Sequence, residues 1–241
     1  MEDIKKRIAA YWSLRAEAFE EQRLREFNSA KRNLWLEEMS RYLPADRSSR
    51  ILDIGTGSGF LACLLAAEGY ETVGIDLTPE MILRARDMAS ALNVEADFQV
   101  MDAENPEFEP ESFDAIVTRN LSWTLPDVEK AYREWHKLLK PGAVLINFDA
   151  DYYAAIGRDD MTGLPGEHAH RLLSENMIRE NIEITKKIGE GQPPRPLRDI
   201  RLLIEACFER INVDTGVYKR IYPSFDEFYN PVPIFMIAAY K

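Results

Sequence analysis

The sequence predicts an α/β fold built on a mostly parallel sheet with helices on both faces. Three observations carry that expectation. An apolar run, Ile51 to Ile54, leads through a glycine-rich turn directly into a helical pattern. A second run, Glu71 to Ile75, ends in Asp76 about twenty residues after the turn, the distance at which nucleotide-binding βαβ units place a ribose acid. Short apolar runs then continue to alternate with helical patterns as far as Phe148, the signature of strands joined by crossover helices.

The first element reads Ile51-Leu-Asp-Ile-Gly-Thr-Gly-Ser-Gly-Phe60. Gly55, Gly57 and Gly59 suit a turn where backbone must take positive φ and lie close to a ligand. A dinucleotide fingerprint would place its last glycine at Phe60, so the register departs from that motif. Asp53 sits within the strand end, where a carboxylate would repel phosphate but can order the loop or accept from a cationic amino-acid ligand. The next strand ends at Asp76, which is either an acceptor for both ribose hydroxyls or a cap for the helix beginning at Thr78-Pro79. A third strand, Asp97 to Met101, ends in Asp102 and Ala103. A fourth, Phe113 to Val117, runs into Thr-Arg-Asn-Leu-Ser-Trp, and such an apolar run fits a buried parallel strand opening on a ligand crevice. A helix from about Val128 to Leu139, the stop Lys140-Pro141-Gly142 and a strand from Ala143 to Phe148 follow.

The glycine turn with Asp53 resembles motif I of the class I S-adenosylmethionine-dependent methyltransferases, and the acids at Asp76 and Asp102 and the Lys-Pro-Gly stop follow in that family's order. The resemblance implies a Rossmann-like, seven-stranded, mostly parallel sheet whose last strand is antiparallel, formed by strands near Ile211 to Asp214 and Ile234 to Ala239. It implies S-adenosyl-L-methionine as cofactor, with Asp53, Gly55, Thr56, Gly57 and Gly59 at the loop and Asp76, Leu77 and Met81 at the second strand end. Asp102 and Ala103 would receive the adenine, and Asn120 would meet the amino-acid moiety. It further implies a helical cap at residues 1–44, a cofactor-binding core at 45–150, a substrate lid inserted after the fifth strand at 151–204, and closing strands within 205–241, all one domain. In the cap, Tyr11 and Trp12 stand where relatives place aromatics near the cofactor, and Tyr11 is favoured. Aromatic faces attract a cation such as a sulfonium.

Methyl transfer from a sulfonium needs positioning above all, and a base only where the nucleophile must lose a proton. Candidates at the reacting edge are Ser122, Trp123, Asp149, Asp151, Tyr152 and Tyr153, with Asp149 and Tyr152 taken as catalytic. His168 is a candidate lid base. His168 and His170 would diverge by roughly 200° on a helix, so no metal is expected. Arg195 and Arg198 can bind a substrate carboxylate or stand on the surface. Cys63 and Cys207 read as two buried thiols on helix faces rather than a disulfide.

The chain has 241 residues, 46% hydrophobic and 29% charged, with net charge -11. That acidity disfavours nucleic acid, which is bound through lysine and arginine clusters, and favours a small neutral or cationic substrate. No apolar stretch is long enough to cross a bilayer. Met1-Glu-Asp-Ile-Lys-Lys-Arg lacks the apolar core of a secretory signal, so a cytoplasmic monomer or homodimer is expected. Two other readings share parts of this pattern. A NAD-dependent oxidoreductase also needs a glycine loop and a ribose acid, although Phe60 counts against it. A non-catalytic S-adenosylmethionine-binding regulatory or scaffold protein would keep the pocket without turnover.

Overall fold

The computed structural model describes residues 2–156, 165 and 173–241. Seven strands form one sheet: β1 (Arg50–Ile54), β2 (Glu71–Asp76), β3 (Asp97–Val100), β4 (Phe113–Arg119), β5 (Leu139–Ala150), β6 (Glu209–Asp214) and β7 (Ile234–Tyr240). Their order is β3-β2-β1-β4-β5-β7-β6. The pairs from β3 through β5 are parallel, and β7 runs antiparallel to both β5 and β6. The chain steps outward from β1 to β3 and then crosses back to β4, so the strand order reverses between β1 and β4. That reversal opens a crevice at the carboxyl ends of the strands.

The described helices are α1 (Glu2–Ser13), α2 (Ala16–Phe27), α3 (Lys31–Ser40), α4 (Phe60–Ala67), α5 (Pro79–Leu92), α6 (Val128–Leu138), α7 (Tyr152–Ala155), α8 (Glu175–Gly189), α9 (Leu197–Glu205) and α10 (Val217–Ile221). Alternation along each strand divides the core in two. Ile51, Val117 and Phe148 pack with α3, α4, α5 and α10 on one face, around Trp35, Met39 and Leu64. Leu52, Ile116 and Leu145 pack with α6 and α9 on the other, around Tyr132, Trp135 and Leu203. A third, smaller cluster joins α1 to α8 through Ile4, Ile8, Tyr11 and Ile184.

Several sequence expectations shift. The amino-terminal helical segment breaks at Leu14 and Arg15 and again before Lys31, giving three helices, of which α1 and α2 line the crevice and α3 packs on one face of the sheet. α6 ends at Leu138, just before Lys140-Pro141-Gly142 as expected, but β5 begins at once with Leu139 pairing to Phe113, and Gly142 at φ 79° lies in the irregular stretch before regular pairing resumes at Val144. The helix expected from His168 starts at Glu175 among the described residues, where the Ser174 hydroxyl accepts from the Met177 N–H. His168 and His170 lie outside the described residues. Cys63 is buried on α4 as expected, and burial pushes its thiol up to about 12. Cys207 is exposed, just past α9 at φ 67°, where the chain turns into β6.

Candidate functional site at the carboxyl ends of the strands

A cavity of about 390 Å³ lies over the crevice between β1 and β4, within the range of small-molecule sites. The glycine turn forms its floor. Gly55, Gly57 and Gly59 take φ of 68°, 55° and 85°, conformations that an L side chain resists. Gly55 is further required by packing, since a Cβ there would lie 2.6 Å from the Leu121 side chain. Gly59 does not line the cavity. It caps α4 in the left-handed conformation against Ala85 and Phe98.

Asp53 organises this turn. Its Oδ2 accepts from the Thr56 hydroxyl at 2.6 Å and from the Ala62 N–H at 3.0 Å, tying the strand end to the first turn of α4. Burial pushes its carboxyl up to about 7 against the opposing pull of those hydrogen bonds. Asp76 is the second brace. Its Oδ2 accepts from the Gly57 N–H at 3.0 Å and its Oδ1 from the Thr78 N–H at 2.9 Å. Each oxygen keeps a further lone pair, so the helix-start reading and the ligand reading of Asp76 are compatible. Leu77 and Met81 line the same wall.

At the third strand end, Asp102 Oδ1 accepts from the Glu104 N–H at 2.9 Å and Oδ2 from Lys5 Nζ at 2.7 Å. Lys5 also pairs with Glu104, so α1 is pinned across this end of the cavity. Ala103 lines the wall, and its carbonyl accepts from Trp135 Nε1. Thr56, Gly55, Gly57, Asp53, Asp76, Asp102 and Asn120 are likewise brought to the cavity.

The structure distributes the remaining candidates differently. Trp12 lines the cavity, whereas Tyr11 packs beneath it between α1 and α8 and accepts a hydrogen bond from Arg15. Asn120 takes φ 56°, held there because its N–H donates to the Phe148 carbonyl at 2.7 Å and its carbonyl accepts from Trp123 Nε1 at 2.9 Å. The first of those bonds belongs to the backbone between β4 and β5. Tyr152 lines the cavity and donates to Asn120 Oδ1 at 3.0 Å while accepting from Asn230 Nδ2 at 2.8 Å. Burial pushes the Tyr152 phenol upward, so it stays protonated as a donor. Trp123 stacks beside it, the ring centroids 4.7 Å apart.

Asp149 corrects the sequence expectation of a catalytic carboxylate. It is fully buried, and its Oδ2 accepts from the Ser122 hydroxyl, the Trp123 N–H and Arg195 Nη2 at 2.7, 3.1 and 3.1 Å. Arg195 also pairs with Asp199 at 2.8 Å and bonds the Ala150 carbonyl. These groups lock the end of β5 to α9 rather than meeting a substrate. Arg195 and Arg198 are therefore interior groups, not surface arginines. Asp151 caps α7, and Tyr153 donates to the Trp123 carbonyl.

Sequence reasoning missed the far end of the cavity. Arg15, Phe19, Arg23 and Glu26 recur at helical spacing along α2 and its start, and their shared face is buried. Glu26 accepts from Arg119 at 3.0 and 3.2 Å, from Arg23 and from Trp35 Nε1. The Arg119 guanidinium lies 4.0 Å from the Trp35 ring centroid. Tyr222, Phe228 and Asn230, from the segment before β7, close the opposite wall. The stripe on α2 was the available signal, but a polar stripe ordinarily reads as a solvated helix face.

Residues 52–147 match a family described as a methyltransferase domain. An uncharacterized methyltransferase of Bacillus subtilis is 35% identical over 134 residues, 55% of this chain and 51% of that protein. A demethylmenaquinone methyltransferase of Thermus thermophilus is 39% identical over 99 residues, 40% of this chain and 45% of that protein. The chain thus spans about half the length, or less, of these curated relatives. Among solved structures, a phosphoethanolamine N-methyltransferase of Haemonchus contortus in complex with S-adenosyl-L-methionine superposes with TM-score 0.61 at 21% identity, over 87% of this chain and 52% of that one. A S-adenosylmethionine-dependent methyltransferase structure from Methanosarcina mazei gives TM-score 0.56 at 24% identity, over 85% and 96% of the two chains.

Proposed function

We propose, from the match of residues 52–147 to a methyltransferase domain, that this chain is a class I S-adenosylmethionine-dependent methyltransferase and transfers a methyl group to a small-molecule acceptor. The observation that carries the reading is the acid series at three successive strand ends, Asp53, Asp76 and Asp102, around one glycine-walled cavity. Asp53 and Asp76 hold the glycine turn open by accepting its N–H and hydroxyl groups, which is what a close backbone approach to a nucleoside requires. Asp76 would take the ribose hydroxyls on its free lone pairs. Asp102 and Ala103 would take the adenine under α1. Gly55, Gly57 and Asn120 would border the amino-acid portion. When bound, S-adenosyl-L-methionine supplies a methyl carbon on a cationic sulfur, which leaves as a neutral thioether with its electron pair.

The protein's part is then orientation and exclusion of water. Trp12, Phe19, Trp123 and Tyr152 surround the open part of the cavity and fit that task. Tyr152, held between Asn120 and Asn230, offers a fixed hydrogen-bond geometry rather than a base. His168 stays a proposed lid base. We further read the chain as one domain with its cap and lid, acting as a cytoplasmic monomer or homodimer without nucleic acid or membrane. Among the described residues no helix is long and apolar enough to cross a membrane.

Calorimetric titration with S-adenosylmethionine, S-adenosylhomocysteine and NAD in parallel tests the donor. Binding of the first two and not NAD is expected, and NAD alone would return the oxidoreductase reading. Asp76→Ala should weaken S-adenosylhomocysteine binding by ~2 kcal/mol, the range of hydrogen bonds to a charged acceptor. Because Asp76 also braces Gly57 and Thr78, the same change should lower the melting temperature, and Asp76→Asn should restore more of the fold than of the binding.

A further inference from the structure

Charge is segregated within the cavity. Asp102 and Glu104 hold Lys5 at the third strand end, and Arg15, Arg23 and Arg119 line the cavity at the start of α2, on α2 and at the end of β4, where Asp53 is the strand-end acid within reach of Arg119. At the arginine end Glu26 serves both Arg23 and Arg119. Arg15 has no such partner. It is only 8% exposed, its one hydrogen bond among the described residues goes to the neutral Tyr11 hydroxyl at 3.1 Å, and its guanidinium lies 5.1 Å over the Trp12 ring. Its side chain lines the cavity, and neither Nε nor Nη2 is among the sealed, unsatisfied buried atoms. A buried guanidinium without a counter-ion is costly unless a ligand completes it.

We propose that Arg15 is the anchor for the carboxylate of an aromatic, singly anionic acceptor. The inference rests on the donor assigned above. At this end three guanidiniums face the single Glu26 carboxylate, a surplus of two positive charges, and the donor brings one carboxylate. A second anion is what remains to be supplied, and a planar carboxylate matches the forked geometry of a guanidinium. With the donor's carboxylate counted, one positive charge is left, which calls for a single negative charge and not a dianion. Beside it lies Trp12, with Phe19 packed edge-on against that ring, and Trp123, Tyr222 and Phe228 line the same cavity, so ring faces and edges are present for a flat apolar body. The nearby sulfonium would further favour an anionic neighbour. The acidic overall charge of -11 points to a neutral or cationic ligand, but local charge at a desolvated site outweighs a distant, screened surface average.

The test is calorimetric titration of the chain saturated with S-adenosylhomocysteine, using three acid and amide pairs: benzoate and benzamide, phenylacetate and phenylacetamide, cinnamate and cinnamamide. The acid should bind roughly tenfold more tightly than its amide in at least one pair, the size of one charge-assisted hydrogen bond. Arg15→Met should erase that preference while leaving S-adenosylhomocysteine affinity within about twofold, and Arg15→Lys should retain part of it. Equal binding of acid and amide across all three pairs by the unaltered chain overturns the proposal without needing any variant. A second outcome overturns it differently. If Arg15→Met weakens S-adenosylhomocysteine but not methylthioadenosine, which lacks the amino-acid group, Arg15 holds the donor's own carboxylate. Failure of the unaltered chain to bind S-adenosylhomocysteine would instead remove the donor reading, and this inference with it.

Discussion

Asp53 is the residue at which the site and the stability of the chain meet. Its folded-state value near 7 stands above the ordinary 3.8, with burial as the main cause. Between those two values the folded chain holds a proton that the unfolded chain releases, so stability falls as pH rises from about 4 to about 7 and flattens beyond. The contribution is on the order of 4 kcal/mol. Urea midpoints at pH 5 and 7.5 should show this loss, and Asp53→Asn should reduce the slope, since an amide oxygen can still accept from Thr56 and Ala62. Asp149 makes the opposite kind of residue-scale case. It neutralises Arg195 in a fully buried pair, so Asp149→Asn should destabilise the fold by about 3 kcal/mol, less whatever Asp199 recovers. A catalytic base would lose turnover with little change in stability. Equilibrium denaturation of that variant separates the two roles.

At the scale of elements, α1 and α8 form the roof of the cavity. They touch through the small apolar cluster of Ile4, Ile8, Tyr11 and Ile184 and through Arg7, which pairs with Glu180 and Glu183 at the surface. Exposed ion pairs contribute little, and a cluster of that size gives the roof far fewer buried contacts than the sheet enjoys. Local opening should therefore be easiest here. Hydrogen exchange is expected to be faster in α1 and α8 than in β1, β4 and β5, and S-adenosylhomocysteine should slow it in α1, where Lys5 reaches Asp102 and Glu104 and Trp12 lines the cavity. Equal protection of roof and sheet would mean a rigid cover and a different entry route.

At the scale of the whole molecule, both core faces are built on the same seven strands. Ile51 and Leu52 are neighbours in sequence yet belong to opposite clusters, so neither layer can lose its packing without exposing the back of the other's sheet. Unfolding should be a single transition, with sheet circular dichroism and tryptophan fluorescence changing together in urea. Trp35 reports one face and Trp135 the other. Separated transitions would show that the cap and the core unfold as independent units.

The sequence by itself determined the parallel core of the sheet and the acids at its strand ends, because both are written in local pattern. A glycine turn, strand alternation and acids at strand ends act over a few residues, and each needs only its neighbours to have meaning. The antiparallel return of β7 followed from the family resemblance that those motifs carry, and Gly55, Asp76 and Asp102 stand at the turn and strand ends that the pattern marked. What only the tertiary structure decided depends on partners far apart in the chain. Asp149 looked available until Arg195, 46 positions away, enclosed it. The sequence pattern favoured Tyr11 over Trp12 because adjacent aromatics look alike until the helix that holds them is rotated against α8. Arg15, Arg23 and Glu26 did not stand out in the sequence, because a polar stripe ordinarily reads as a solvated face, and only the fold of α2 over the end of β4 buries them beside Arg119. Burial is a property of the assembled chain, and it is burial that turns an ordinary charged residue into a buried ion pair or a binding group.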